Sequence, residues 1–169
     1  KVTLKLKGTN IFSRISYWNG GEGTSICDCS FKITSLDGDG STDGNLICIG
    51  KQTTKANSVH GRLALNGWNS VIGGSDANGR VVGLEIAGGT ILAVATAKDQ
   101  CTAIGAGGNG YANMLISGGD VTAISYTTGT AIGGGIGHLS AGGTANVTIT
   151  GGNVKAYNLG QPYKYTFES

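Results

Sequence analysis

One phrase occurs three times in this chain. Ile86-Ala87-Gly88-Gly89-Thr90-Ile91-Leu92-Ala93 returns as Ile116-Ser117-Gly118-Gly119-Asp120-Val121-Thr122-Ala123 and again as Ile149-Thr150-Gly151-Gly152-Asn153-Val154-Lys155-Ala156. A second phrase alternates with it: Val71-Ile72-Gly73-Gly74, Ala103-Ile104-Gly105-Ala106, then Ala131-Ile132-Gly133-Gly134-Gly135. Two anchors recurring in fixed order mean one structural unit copied along the chain. The first anchor steps by 30 and 33 residues (Ile86, Ile116, Ile149), the second by 32 and 28 (Ile72, Ile104, Ile132). The unequal steps fall in Gly-, Asn- and Ser-rich stretches, as in a stack of strand-built coils joined by loops of free length. Leu65-Asn66-Gly67-Trp68 reads as an earlier copy of the Ile-x-Gly-Gly anchor and Cys48-Ile49-Gly50 as an earlier copy of the Ile-Gly anchor. Phe31-Lys32-Ile33-Thr34 and Leu4-Lys5-Leu6-Lys7-Gly8 read as older traces.

Inside each copy the pattern has period two. Ala145-Asn146-Val147-Thr148-Ile149-Thr150 alternates small or apolar residues with polar ones, so one side is buried and the other wet. Val, Ile, Thr and Leu suit such a pleated surface. A Gly-Gly pair then ends the strand, where the chain turns a corner. No useful window carries apolar residues at helical spacing, so almost no helix is expected.

These features predict an all-β chain wound as a parallel β-solenoid (β-helix) of about five to six coils. A β-sandwich or β-prism is the alternative, since each also shows short alternating strands with Gly turns. In the solenoid, Ile72, Ile104 and Ile132 form one interior stack and Ile86, Ile116 and Ile149 another. Ala93, Ala123 and Ala156 fit where the interior is narrow. The expected organisation is an N-terminal cap or first irregular coils over 1–45, a repeat solenoid over 46–160, and a closing strand over 161–169. The alternating Tyr163, Tyr165 and Phe167 carry that last strand. Lys1 already stands inside a strand-like run, which predicts a piece of a larger polypeptide with flanking segments as partners.

Composition narrows the function. The chain has 32 glycines among 169 residues but a single proline, Pro162, which argues against collagen. Charged residues make up 13%, with a net charge of +2, and the cations do not cluster, so a nucleic-acid surface is not expected. No run reaches the length of a transmembrane helix. Of the four cysteines, Cys27 and Cys29 share a face if Ile26 to Lys32 is a strand, and Cys48 lies about one coil later. A disulfide from Cys48 to either one stands beside the plainer reading of small buried residues, and the spacing does not choose. No Cys-x-x-Cys pair points to zinc.

The run Ala131-Ile132-Gly133-Gly134-Gly135, followed by Val147-Thr148-Ile149-Thr150-Gly151-Gly152-Asn153-Val154, resembles the glycine-rich "A-x-IGGG … ITI-x-GG-x-V-x-A" repeats of large cell-surface proteins of Gram-positive-type bacteria. The resemblance covers roughly residues 46 to 160. It implies a β-solenoid in an extracellular, cell-surface setting with an adhesive or carbohydrate-associated role. It brings no catalytic residues with it.

Two sets of side chains are candidates for binding. Asp37, Asp39, Ser41 and Asp43 alternate with glycines in Asp37-Gly38-Asp39-Gly40-Ser41-Thr42-Asp43-Gly44, a spacing that can wrap calcium. An EF-hand would need a carboxylate at its twelfth position, which here is Cys48, and the alternative is a solvated acidic turn. Aromatic residues offer flat π surfaces to sugar C–H faces, and Trp68, Tyr111, Tyr126 and Trp18 are the glycan candidates, with Tyr157 beside them. Trp68 stands where its copies have Gly89, Gly119 and Gly152, which places it at a corner. Trp18 also fits as a cap of the stack.

Catalytic constellations are weaker. A lyase needs a basic proton abstractor beside acidic residues, and a glycosidase needs converging carboxylates. His60, His138 and Arg80 fall in loops, and no acidic pair occupies equivalent repeat positions. The serines lack a nucleophile elbow and Gly105 to Gly110 lacks a phosphate-loop setting. The resulting expectation is a non-enzymatic, extracellular spacer or adhesion module that binds glycan. A polysaccharide-acting enzyme domain or a phage-fibre-type segment is the alternative. No cofactor other than calcium is expected. Ice binding would need flat Thr-x-Thr ladders, and Thr148-x-Thr150 lacks copies in Glu85-x-Ala87 and Leu115-x-Ser117.

Overall fold

A computed structural model of the chain describes residues 1–17, 30–50, 70–74, 81–96, 101–108, 110–135 and 143–160. These residues form strands and no helix. In chain order the strands are β1 (Val2–Leu6), β2 (Thr9–Phe12), β3 (Ile15–Tyr17), β4 (Phe31–Ser35), β5 (Asn45–Gly50), β6 (Ser70–Gly74), β7 (Val81–Ile86), β8 (Thr90–Ala95), β9 (Thr102–Gly108), β10 (Tyr111–Ile116), β11 (Asp120–Ser125), β12 (Ile132–Gly135), β13 (Thr144–Ile149) and β14 (Asn153–Asn158).

Each strand lies beside the strand three places later. The first sheet runs β1-β4-β7-β10-β13, the second β2-β5-β8-β11-β14 and the third β3-β6-β9-β12. The ladders within them are parallel. The chain is therefore a three-sided parallel β-solenoid. A sandwich would have needed antiparallel neighbours. The described strands make four complete coils and two strands of a fifth, slightly fewer than the repeat count predicts.

The two isoleucine stacks exist. Leu4, Ile33, Ile86, Ile116 and Ile149 follow one another along the first sheet. Ile15, Ile72, Ile104 and Ile132 do so along the third. Burying an aliphatic side chain of this size is worth roughly 1.5–3 kcal/mol, so like-on-like stacking makes each rung the burial partner of the next. The benefit fades at the end of the stack: Ile116 is 1% exposed and Ile149 is 54% exposed.

A third inward column, on the second sheet, runs Phe12, Cys48, Ala93, Ala123, Ala156. This corrects one sequence reading. Cys48-Ile49-Gly50 does not copy the Ile-Gly anchor; it copies Ala93-Val94-Ala95 and lies on a different side of the coil. Cys48 fills a place meant for a small residue. It is fully buried, takes part in no disulfide, and its thiol is pushed up to about 12 by loss of solvation. It is accordingly protonated at neutral pH. Cys101 is also buried. Leu65 to Trp68, Cys27, Cys29 and the expected closing strand 161–169 lie outside the described residues.

Corners explain the repeated glycines. Gly89, Gly119 and Gly152 have φ of 90°, 85° and 85°, a left-handed backbone that only glycine adopts without strain. One coil departs furthest from the pattern. Between Ile33 and Asn45 it carries residues 34–44, where the next coil has only Ala87, Gly88 and Gly89 between the equivalent Ile86 and Thr90. The added loop lies back on that next corner: the Gly40 N–H donates to the Ala87 carbonyl (2.6 Å) and the Gly89 N–H to the Ser41 carbonyl (2.7 Å).

Candidate functional site

The strand alternation that sends Ile91, Ala93 and Ala95 inward sends Thr90, Leu92 and Val94 outward. Parallel register repeats this on each rung, so the outer side of the second sheet is written in columns. The first is polar: Thr9, Asn45, Thr90, Asp120, Asn153. The second is Ile11, Ile47, Leu92, Thr122, Lys155 and the third Ile49, Val94, Ile124, Tyr157. Water-facing strand positions normally carry polar residues, and these two columns are mostly aliphatic. Ile11 is 71% exposed and Tyr157 46% exposed.

Tyr126 extends this face. Its N–H donates to the Ala95 carbonyl, and the Leu159 N–H donates to the Ser125 carbonyl, both at 2.9 Å. The register of β11 and β14 thus continues one residue further and sets Leu159 beside Tyr126, next to the Ile124–Tyr157 pair. Tyr126 is 40% exposed and Leu159 48% exposed. The residues on either side of Tyr126 hold it in place. The Thr127 hydroxyl donates to the Cys101 carbonyl (2.6 Å), and the Ser125 hydroxyl to the Gly129 carbonyl (3.1 Å). Both hydroxyls are buried, and the Gly129 N–H donates back to Thr127 Oγ1 (2.9 Å). With its neighbours tied inward, Tyr126 is left facing out from a backbone that has little freedom.

The other sequence candidates lie elsewhere. Tyr111 opens β10 on the first sheet, half-buried beside Thr144, and does not join Tyr126. Trp18, Trp68, His60, His138 and Arg80 lie outside the described residues. Asp37, Asp39, Ser41 and Asp43 share the loop over the Gly88 corner, with their groups turned to different partners. The Asp39 carboxylate accepts from Lys32 Nζ (2.6 Å) and the Thr34 hydroxyl (2.8 Å). Ser41 Oγ accepts from the Asp43 N–H (3.2 Å), and the Asp37 N–H donates to Ser35 Oγ (3.0 Å). Among the described residues, no three His, Cys, Asp or Glu side chains gather around one point.

Lys32 was not a sequence candidate. It faces Glu85 because Ile33 sits on Ile86, and its ammonium lies 3.1 Å from Glu85 Oε1. It borders an open hollow of about 410 Å³ on the first sheet, with Phe31, Gly83, Glu85 and Asn113. The hollow follows from a β-bulge: Val82 pairs with Asn113 and Leu84 with Met114, leaving Gly83 as an extra residue at φ 74°. Two carboxylates around one ammonium invite an acid–base reading, but the charges oppose it. Lys32, and then the Thr34 hydroxyl, hold the Asp39 carboxyl below its ordinary value of 3.8. The hydrogen bond to Asp39 lifts Lys32 above 10.5 against an opposing pull from desolvation. Neither group exchanges a proton readily near neutrality.

A pH test follows. Because its folded value is depressed, Asp39 contributes stability that is complete above the ordinary carboxylate value and disappears as pH falls through the folded one. The effect is small, since the pair is solvent-exposed. Unfolding curves for wild type and Asp39→Asn should differ slightly at pH 6 and converge under strong acid. A gap that persists unchanged into strong acid would show that the carboxylate charge is not its source.

No family model, curated protein or solved structure matches this chain.

Proposed function

We propose that the chain is a non-enzymatic module of a larger extracellular, cell-surface protein, a rigid spacer and adhesion element that binds glycan on the outer side of its second sheet. The observation that carries this reading is the group of exposed Tyr126, Tyr157 and Leu159 around the half-buried Ile124, on a backbone fixed by parallel ladders and buried hydroxyl bonds. Exposed apolar patches on otherwise polar surfaces mark interaction sites, and tyrosine presents both a flat face and a hydroxyl to a sugar ring. Copied coils extend such a surface without a new fold, which suits reach and multivalent contact. The extracellular setting rests on the resemblance to glycine-rich surface repeats.

Among the described residues, the carboxylates Asp39 and Glu85 that a polysaccharide-acting enzyme could draw on share one lysine in an ion cluster. A glycan array probed with wild type and with the Tyr126→Ala/Tyr157→Ala double variant tests the proposal. Binding by wild type, at least tenfold weaker in the double variant, is the expected result. The same polymers incubated with the protein should release no reducing ends. Release of reducing ends would replace the module reading with the enzymatic one.

A further inference from the structure

Resting on that reading, we infer the chemistry of the ligand: an uncharged polysaccharide in a flat, extended ribbon, its sugars linked through equatorial bonds. It lies along the solenoid axis across the rungs of the second sheet.

Three observations lead there. The first is charge. The outward columns of this sheet hold two charged residues, Asp120 in the polar column and Lys155 on the last rung. Among the described residues of these columns, the central positions Ile47, Leu92, Ile49, Val94 and Ile124 carry no ion to pair with a uronate or sulfate. An anionic polymer would give up hydration without compensation.

The second is shape. The apolar columns run along the axis, at right angles to the strands, with the Thr9, Asn45, Thr90, Asp120, Asn153 column along one side. A ribbon of all-equatorial pyranoses has the matching pattern. Its C–H faces are apolar and its hydroxyls project from the edges. The ring faces rest on the aliphatic columns and on Tyr126 and Tyr157, while the edge hydroxyls meet the Thr, Asn and Asp side chains. A coiled α-linked glucan has no long flat face to offer.

The third is size. Five rungs about 4.8 Å apart give a strip about 19 Å long, and outward side chains on one strand are about 7 Å apart. Three columns, two such spacings wide, therefore cover roughly 270 Å². A stable protein partner needs about 800 Å² on each side. The strip is too small for a second copy of this chain, and its footprint suits a few sugar rings.

The test is a pull-down of the intact chain with particles of microcrystalline cellulose and chitin (neutral flat ribbons), granular starch (α-linked) and calcium alginate (anionic). Two variants run alongside: Tyr126→Ala/Tyr157→Ala, and Leu92→Lys, which places a charge in the central column at a partly exposed position. Circular dichroism melting confirms that each variant is folded. The expected result is retention on cellulose or chitin, none on starch or alginate, and at least tenfold weaker retention of both variants. Retention on starch or alginate alone overturns this inference and leaves the glycan-module reading standing. Binding to none of the polymers, with a blank glycan array, overturns both. Retention on cellulose or chitin that neither folded variant weakens shows that another face binds, and this inference fails.

Discussion

Gly105→Ala should lower the stability of the chain by about 3–5 kcal/mol, enough to leave much of a marginally stable domain unfolded. Gly105 has φ of 143°, and a Cβ built there runs into the carbonyl oxygen of Gly133 on the next rung. Gly73, at φ 132°, stands in the same relation to the Gly105 carbonyl. The glycines of the Ile-Gly anchor thus form a ladder in which each backbone occupies the space a side chain would need. Gly133 is the internal control. It shares the motif and the geometry, at φ 140°, but among the described residues a Cβ there meets only Ala145 Cβ and Thr130 Oγ1, both at 3.6 Å. Gly133→Ala should cost only the backbone strain, about 1–3 kcal/mol. Urea unfolding of the two variants separates the effects. Losses equal within 0.5 kcal/mol would show that close approach between rungs is not what excludes a side chain.

The second large effect concerns isoleucines that the sequence makes look alike. Ile116→Ala should cost about 3–4 kcal/mol and Ile149→Ala about 1 kcal/mol or less. Both open an Ile-x-Gly-Gly corner and both stand in one column. Ile116 has a rung on either side and is buried, whereas Ile149 lies on the last described rung of its sheet with about half its surface exposed. Position in the stack, and not the motif, sets the cost. Similar losses from the two substitutions would mean that Ile149 is covered in solution.

Much of this architecture is legible in the chain itself, because parallel stacking requires equivalent positions to carry equivalent residues. Ile72, Ile104 and Ile132 announce their own register, and Phe31-Lys32-Ile33 and Leu4-Lys5-Leu6 belong to the ladder they resemble. The reading of Cys48-Ile49-Gly50 fails because an Ile-Gly pair is too short to identify a corner. The better signal was the alternation Leu46-Ile47-Cys48-Ile49, which matches Ile91-Leu92-Ala93-Val94 position by position. The loop from Leu36 to Gly44 hides that match by shifting the spacing between anchors.

The candidate site was only half legible. Tyr126 and Tyr157 stand out as aromatics in a chain with few of them. Which side of the coil each occupies depends on where the corners fall, and that separates Tyr126 from Tyr111. The Lys32–Asp39–Glu85 cluster was invisible, because it joins a loop to a rung 53 positions away from Lys32, and only the seating of Ile33 on Ile86 brings them together.

The parallel ladders also turn the outer surface into a ruler. Hydrogen bonds between backbones set the interval from one rung to the next, and no side-chain rearrangement can stretch it. Whatever polymer settles lengthwise on such a surface must have a repeat commensurate with that interval, or lose contact after a few units. Selection among ligands then acts through period as well as chemistry, and duplication of a coil lengthens the scale without changing its graduations.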